Sequence, residues 1–463
     1  METMLSSTIA YCPLCKSNEF ARIVSNAQGV FMVRQCPKKP DNAFKLSSSV
    51  DWYLRRVHAV QPVSSACSTE RKPSSQGCPK DCGLCEWHAG GLHLPVFSIT
   101  NDCNLDCPIC FTYNRPDSKY YKPLEDVKKI VDHIKRENPN IQLVNITGGE
   151  PTLHPQILEI LQLLRDEGIE RVTMNTNGIK LSADREFAKS IKASGAQCVL
   201  SVDTFDPQKS ITIHGKDIST HKRKVLALLE ELDIPTTILS VAIKGLNEDE
   251  VAQIVNQYIS KPFVKSITIQ NMTYTGQNGS NFGSHKYITI DEVENSLAIE
   301  DKIAVDDFFA LASYHPLCYS VAYYLLLDER LIPLTKIFDL ETLKEMSMDN
   351  YILEPKEEFR QKFQEAISIL WANGEEEDVI ASLKSFIKDL YPSDRELTQK
   401  QREALIESKT KMLYIHPHMD ENCFDLGRVN LCGDLVPDES GDMIPACSYN
   451  LFYRQKDERF WVE

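Results

Sequence analysis

Leu94-Pro-Val-Phe-Ser-Ile99-Thr-Asn-Asp-Cys103-Asn-Leu-Asp-Cys107-Pro-Ile-Cys110-Phe111 joins a short apolar run to three cysteines. The run reads as a strand, which puts the thiols in the loop at its C-terminal end. Three thiolates at Cys-x3-Cys-x2-Cys spacing can wrap one corner of an iron–sulfur cubane and ligate three of its four irons. The fourth iron is then open to a ligand that is not protein. A structural zinc would call for paired Cys-x-x-Cys knuckles supplying four ligands. A ferredoxin-type cluster would call for a fourth cysteine close by. The loop holds neither.

Downstream the texture alternates. Apolar, β-rich runs recur at Leu94–Ile99, Ile141–Ile146, Arg171–Asn175, Gln197–Val202, Thr236–Ile243 and Val264–Gln270. Helical periodicity fills the gaps: Leu124, Val127, Ile130, Val131 and Ile134 share one face. Ile157, Ile160, Leu161 and Leu164 share another, in a helix that stops at Gly168. Asn247 and Glu250 stand as in a capping box. Six β/α repeats of roughly 30 residues predict a parallel sheet, because each parallel crossover needs a helix.

Short polar groups stand at the ends of these runs. They are Gly148-Gly149-Glu150-Pro151 after the second, Asn175-Thr176-Asn177-Gly178 at the third, and Ser201-Val202-Asp203 at the fourth. Parallel α/β folds bind ligands at C-terminal strand ends. The glycines let backbone approach closely, and Glu150 offers a carboxylate to an ammonium group. Taken singly, each group reads as a turn. Together with the cysteine loop, over residues 94–275, they resemble the radical S-adenosylmethionine (SAM) superfamily. The resemblance implies an α/β fold with a partial (β/α)6 barrel. It implies that a [4Fe–4S] cluster on Cys103, Cys107 and Cys110 binds SAM and cleaves it reductively to a 5′-deoxyadenosyl radical. It also implies that Gly148, Gly149 and Glu150 meet the methionine amino group, with Asn177, Ser201 and Asp203 near the ribose or carboxylate. No residue is singled out as the catalytic one.

The other cysteines are clustered too. The chain has 15, an odd number, and clustered thiols in a long chain suggest metal ligands in a reducing compartment rather than disulfides. Gly77-Cys78-Pro-Lys-Asp-Cys82-Gly-Leu-Cys85 repeats the three-thiolate spacing, as expected of an auxiliary [4Fe–4S] cluster, with a structural zinc as the alternative. Cys12-Pro-Leu-Cys15 is a knuckle, and Cys36-Pro begins a second in which Lys38 and Lys39 stand where a further cysteine would fall. Cys67 or His58 would complete a four-ligand site for a mononuclear zinc or iron. Cys318, in His315-Pro-Leu-Cys318-Tyr, together with Cys432 and Cys447 in polar loops, is the ligand set for a third cluster; Cys423 lies in the same stretch. His416 and His418 are proton donors, ligands or partners of loop backbone. Cys198 reads as a buried apolar residue within its strand.

Four segments follow. Residues 1–92 read as a Cys-rich metal module, 93–279 as the barrel, 280–410 as a mainly helical insert, and 411–463 as a Cys-containing auxiliary-cluster segment. The net charge of −15, from 51 Lys+Arg against 66 Asp+Glu, argues against a nucleic-acid partner. No apolar run reaches the roughly 20 residues of a membrane-spanning helix, and the N-terminus has no signal-peptide pattern. The expected location is cytoplasmic, with contact at a membrane surface left open.

Cys12-x-x-Cys15, the Gly77–Cys85 motif, Cys103–Phe111, Thr273-Tyr274-Thr275-Gly276 and the cysteine-bearing end of the chain together resemble one branch of the superfamily, the tetraether synthase and 7,8-dihydro-6-hydroxymethylpterin dimethyltransferase group. His88-Ala-Gly-Gly-Leu-His93 lacks a cysteine that the synthases carry, and Ile415–Arg454 departs from their pattern. The expectation drawn from the resemblance is carbon–carbon bond formation on a lipid alkyl chain, in an apolar groove of the insert, with flavodoxin or ferredoxin as reductant. The alternative is methyl transfer to a pterin or similar heterocycle. A non-enzymatic iron–sulfur electron carrier is a third class, against which Gly148–Pro151 argues, since a carrier needs no SAM pocket.

Overall fold

The computed structural model describes residues 2–59, 71–112, 114, 117–276, 279, 282, 287–299, 302–347, 358–438 and 441–459. Its strands are β1 (Thr3–Cys12), β2 (Ser17–Asn26), β3 (Gly29–Cys36), β4 (Lys39–Ser47), β5 (Leu94–Ser98), β6 (Leu143–Thr147), β7 (Arg171–Thr176) and β8 (Gln197–Ser201). They continue as β9 (Thr236–Ala242), β10 (Val264–Asn271), β11 (Ser320–Leu327), β12 (Arg330–Pro333), β13 (Thr410–Ile415), β14 (Asp434–Pro437) and β15 (Met443–Pro445).

β5 to β10 stand where the six apolar runs predict and pair in parallel, each with the next. This is the partial (β/α)6 arrangement. The end of the chain extends it on both sides: β13 joins β10 and β14 joins β5, again in parallel. Antiparallel β11 and β12 follow β13, and antiparallel β15 follows β14, so the sheet runs β12-β11-β13-β10-β9-β8-β7-β6-β5-β14-β15. Both outermost strands are only three or four residues long, which keeps the open edges short. Residues 320–333, within the stretch read as mainly helical, thus belong to the sheet.

The crossover helices bury the predicted faces. In Leu124–Glu137 these are Val127, Ile130, Val131 and Ile134, and in Ile157–Asp166 they are Ile157, Ile160, Leu161 and Leu164. Glu125 and Asp126 lie in the first turn of the former and Lys135 and Arg136 in its last, complementing the helix dipole. The expected capping box at Asn247 is not formed. Asn247 Oδ1 instead accepts from Ile243 N at 2.8 Å, while its Nδ2 donates to Asp203 O and Val241 O. Glu250 accepts from Thr204 Oγ1 and from Phe205 N. The strand-end loops of β8 and β9 offer buried backbone groups that only these side chains reach, and that demand outweighs local capping.

Residues 3–47 form an antiparallel meander, β1-β2-β3-β4, followed by a helix at Val50–Ala59. It docks on the barrel through Tyr11 N to Phe424 O at 3.0 Å and through Ser48 and Ser49 N, both donating to Asp291. Between them lies a buried ion pair: Arg56 Nη2 is 3.3 Å from Glu294 Oε1, and Trp52 Nε1 donates to Glu294 Oε2 at 2.6 Å.

The helices of the insert (Leu340–Met346, Glu358–Ala372, Glu377–Leu390, Gln399–Lys409) pack their apolar faces on one another and on β11, with Phe338, Phe359, Phe363, Phe386 and Leu383 at the centre. The apolar residues expected to line a lipid groove are therefore core. No helix among the described residues is long and apolar enough to cross a membrane.

Removing one member of a buried ion pair strands the other charge without water or partner. Glu294→Ala is expected to destabilise the fold by about 3–5 kcal/mol, read by denaturant unfolding, whereas joint replacement of Arg56 and Glu294 by apolar residues of similar size restores most of the loss.

Candidate iron–sulfur and SAM site

The cysteine loop rests on the end of β6. Gly149 N donates to Thr100 O at 2.8 Å and Glu150 N to Asp102 O at 2.7 Å. A Cβ on Gly148 would collide with the Thr100 carbonyl oxygen, and one on Gly149 with that of Asp102. The glycines thus serve a close approach, as expected, and the first thing they approach is the cysteine loop itself.

Glu150 is buried and heavily engaged. Its Oε1 accepts from Thr152 N, Thr152 Oγ1 and Thr176 Oγ1 at 3.1, 2.6 and 2.8 Å, and its Oε2 from Asn177 N at 2.7 Å. An ionised carboxylate has about four lone-pair sites. Oε2, with one donor, keeps a lone pair for an ammonium group. Asn177 Nδ2 donates to Asn104 Oδ1 at 2.7 Å, tying β7 to the cysteine loop. Ser201 Oγ and Asn177 O both accept from Lys222 Nζ, at 3.2 and 2.7 Å. Burial pushes Lys222 down to about 8. The Asp203 carboxyl is buried, which pushes it up to about 6; it accepts from Val241 N at 2.6 Å and lies 3.4 Å from His214 Nε2. Asp203 therefore orders the loop behind Ser201.

The sulfurs of Cys103, Cys107 and Cys110 each have a partner suited to a metal-bound thiolate. Leu105 N lies 3.4 Å from Cys103 Sγ, His214 Nδ1 is 3.8 Å from Cys107 Sγ, and Asn114 Nδ2 is 3.5 Å from Cys110 Sγ. Hydrogen bonds to ligand sulfur set cluster potential, and such partners orient the ligands. Burial pushes Cys103 up to about 12 and Cys107 upward as well. Three clustered thiols, each beside such a partner, fit the ligand set of a [4Fe–4S] cluster. Lys222 and His214 carry no motif. Lys222 could have been noticed as the polar member of the buried stripe Lys222-Val225-Leu226-Leu229 in the helix Ser219–Glu231.

Of the remaining ligand sets, Cys12, Cys15 and Cys36 offer sulfurs all within 4.8 Å of one another. Tetrahedral bonds of about 2.3 Å place sulfurs about 3.8 Å apart, so this triad fits a single metal ion. His58 is exposed on its helix, and Cys67 lies outside the described residues. Cys78 and Cys82 have sulfurs 3.7 Å apart, and Cys85 is buried beside them. Cys82 N donates to Tyr453 Oη at 2.6 Å, so this group packs on the chain's last segment.

Cys318, Cys432 and Cys447, far apart in sequence, line one chamber with Tyr314, His416, His418 and Arg428. Cys423 joins them through Arg428, whose charge the Cys318 and Cys423 sulfurs favour. His418 lies 3.8 Å from Cys447 Sγ and stacks on Phe111 at 6.0 Å, connecting this chamber to the cysteine loop. Gly276 packs against the Phe111 backbone from the other side, with φ +83°. His416 stacks on Tyr319 at 4.0 Å and lies 3.4 Å from Asp434. Cys198 is fully buried in β8.

A sequence model of the radical SAM superfamily matches residues 97–258, which hold the cysteine loop, Glu150, Asn177 and Asp203. The chain belongs to the radical SAM superfamily and is a radical SAM enzyme. It is 27% identical to 7,8-dihydro-6-hydroxymethylpterin dimethyltransferase of Methanocaldococcus jannaschii, over 99% of this chain and 96% of that protein. It is 30% identical to GTP 3′,8-cyclase of Peptoclostridium acidaminophilum, over 47% of this chain and 67% of the cyclase. Among solved structures, SuiB of Streptococcus suis bound to S-adenosylmethionine is similar over 45% of this chain and 46% of its own, with TM-score 0.38 and 22% identity.

Replacing Cys103, Cys107 and Cys110 by alanine together is expected to abolish 5′-deoxyadenosine formation under reduction. Glu150→Ala, which deletes a charged hydrogen-bond acceptor, is expected to weaken SAM binding about tenfold or more and leave iron content unchanged, as measured by equilibrium binding and iron assay.

Proposed function

We propose that this enzyme transfers a methyl group to a pterin or a closely related nitrogen heterocycle. The observation that carries this reading is the similarity to a pterin dimethyltransferase along 99% of the chain, beyond the barrel and through every cysteine group. The lipid reading drew on the tetraether-synthase resemblance, the extra cysteine groups and an apolar groove in the insert, and the apolar residues of the insert pack on one another.

When bound, the [4Fe–4S] cluster supplies the electron that breaks the S–C5′ bond of SAM. The protein's residues do the rest. Cys103, Cys107 and Cys110 hold the cluster, and Glu150 Oε2 takes the methionine ammonium. Asn177 and Ser201, steadied by Lys222, lie on the ribose and carboxylate side, with Asp203 as a positioning residue behind them. Cys12, Cys15 and Cys36 hold a mononuclear iron or zinc. Cys78, Cys82 and Cys85 hold an auxiliary cluster, and Cys318, Cys432 and Cys447, with Cys423, hold another. His418 and Phe111 stand between this last group and the cysteine loop. A low-potential reductant of the flavodoxin or ferredoxin kind supplies the first electron.

The anaerobically reconstituted enzyme, given SAM, dithionite and a reduced 6-hydroxymethylpterin, is expected to form 5′-deoxyadenosine and a pterin heavier by one methyl group or two. Mass spectrometry with methyl-labelled SAM identifies the methyl donor. Unchanged pterin, together with deuterium passing from a chain-terminal-deuterated lipid into 5′-deoxyadenosine, would return the case to alkyl coupling.

A further inference from the structure

Arg34 is among the largest fully buried side chains in the molecule, and none of its three guanidinium nitrogens has a hydrogen-bond partner. A buried guanidinium without an anion is unstable, because desolvation is not offset by any pairing. Arg34 lies on β3 two residues before Cys36, and the burial pattern of the strand puts both on its inner face with Gln35 outside. The sulfurs of Cys423, Cys12 and Cys36 and the Asp420 carboxyl all act to favour its charge. Two of these are poorly suited as its counter-ion. Asp420 accepts from Asn422 N at 2.7 Å and Tyr274 N at 3.4 Å and makes no hydrogen bond to the guanidinium. Cys423 is engaged on its other side, with Asp420 N 3.3 Å from its sulfur and Arg428 favoured by it in the neighbouring chamber. The sulfurs that remain are Cys12 and Cys36, members of the compact triad with Cys15.

We infer that Arg34 is the counter-charge of a metal ion held by Cys12, Cys15 and Cys36, a positioning residue that makes the loaded site electrically neutral. The inference rests on the reading of that triad as a metal site. A divalent ion with three thiolates carries one net negative charge, and one guanidinium balances it. A neutral fourth ligand, such as water or an imidazole, preserves that balance, whereas a fourth thiolate on a divalent ion leaves one charge uncompensated. The assignment also explains a departure from the paired-knuckle pattern: with Arg34 inside, Lys38 and Lys39 can occupy the place of the second knuckle's last cysteine.

Metal and guanidinium then stabilise each other, and removing either exposes the cost of the other. The test is zinc retention by the full-length protein against a competing chelator, with Cys12→Ser identifying the component that belongs to this site. In wild type one zinc is expected to be lost on Cys12→Ser. Arg34→Met is expected to lower zinc affinity at this site at least tenfold, with Arg34→Lys in between. Metal-free Arg34→Met is expected to melt at a higher temperature than metal-free wild type, since the orphaned charge is gone, and to gain less on adding zinc. Zinc content unaffected by Cys12→Ser overturns the metal reading of the triad. Zinc held equally well by wild type and Arg34→Met, with the same melting shift, overturns the role of Arg34 alone.

Discussion

Everything at the site depends on how closely two backbones approach at the ends of β5 and β6. Because neither Gly148 nor Gly149 has a side chain, Thr100–Asp102 can lie against them and accept the amide protons of Gly149 and Glu150. One rigid unit therefore carries the first cluster cysteine, Cys103, and the carboxylate of Glu150. A side chain at either glycine would push the loops apart and part the sulfur from the carboxylate. The geometry that SAM chelation needs is thus written into backbone contact rather than into side-chain packing. Asn177 to Asn104 adds a second tie, from the end of β7, and Lys222 a third, from the helix Ser219–Glu231.

What the sequence made legible is local. Six strands, their helices and the cysteine loop follow from periodicity and spacing within about 30 residues, the length of one β/α unit. The strands β11, β13 and β14 escaped because their partners are distant in sequence: Val321 faces Tyr414, and Leu94 faces Asp434; β12 and β15 are hairpin partners of four and three residues, too short to show an alternation. The meander of β1 to β4 was masked by its half-exposed pattern, which blurs the alternation of a buried strand. At Asn247 the local signal was present but lost to a tertiary demand, since Asp203 and Val241 needed its amide more than the helix needed a cap. The apolar insert shows the converse risk. A stripe of phenylalanines says that something is buried, not what buries it, and here it is the insert's own helices.

His214 and Arg34 were invisible for another reason, and Lys222 showed only as a polar member of an apolar stripe. Each is a single polar residue whose meaning comes from being buried, and burial of one residue has no period. They share a physical role, too. Lys222 gives its charge to backbone and hydroxyl oxygens beneath the SAM loops, while His214 stands between Asp203 and Cys107. In each case a cationic or polar donor stands where a thiolate or carboxylate must be kept.

The cysteine groups come from every part of the chain, and none of the three accessory sets stands apart from the barrel. Cys82 donates its amide to Tyr453, Cys318 meets Cys432 and Cys447 beside β13 and β14, and β1 pairs by backbone with Phe424. Burial drives the Cys318, Cys423, Cys432 and Cys447 thiols toward the neutral form, so a metal-free chain gathers them at the expense of thiolate character. Metal binding reverses that balance, because the thiolates it requires are stable only in the assembled pocket. On the reading proposed above, loading of the accessory sites and docking of the N-terminal meander, the insert and the last segment would be one coupled equilibrium. The segment from His416 to Gly433 transmits it: β13 and β14 at its two ends flank the barrel strands, and its middle touches β1, Arg34 and the cysteine loop.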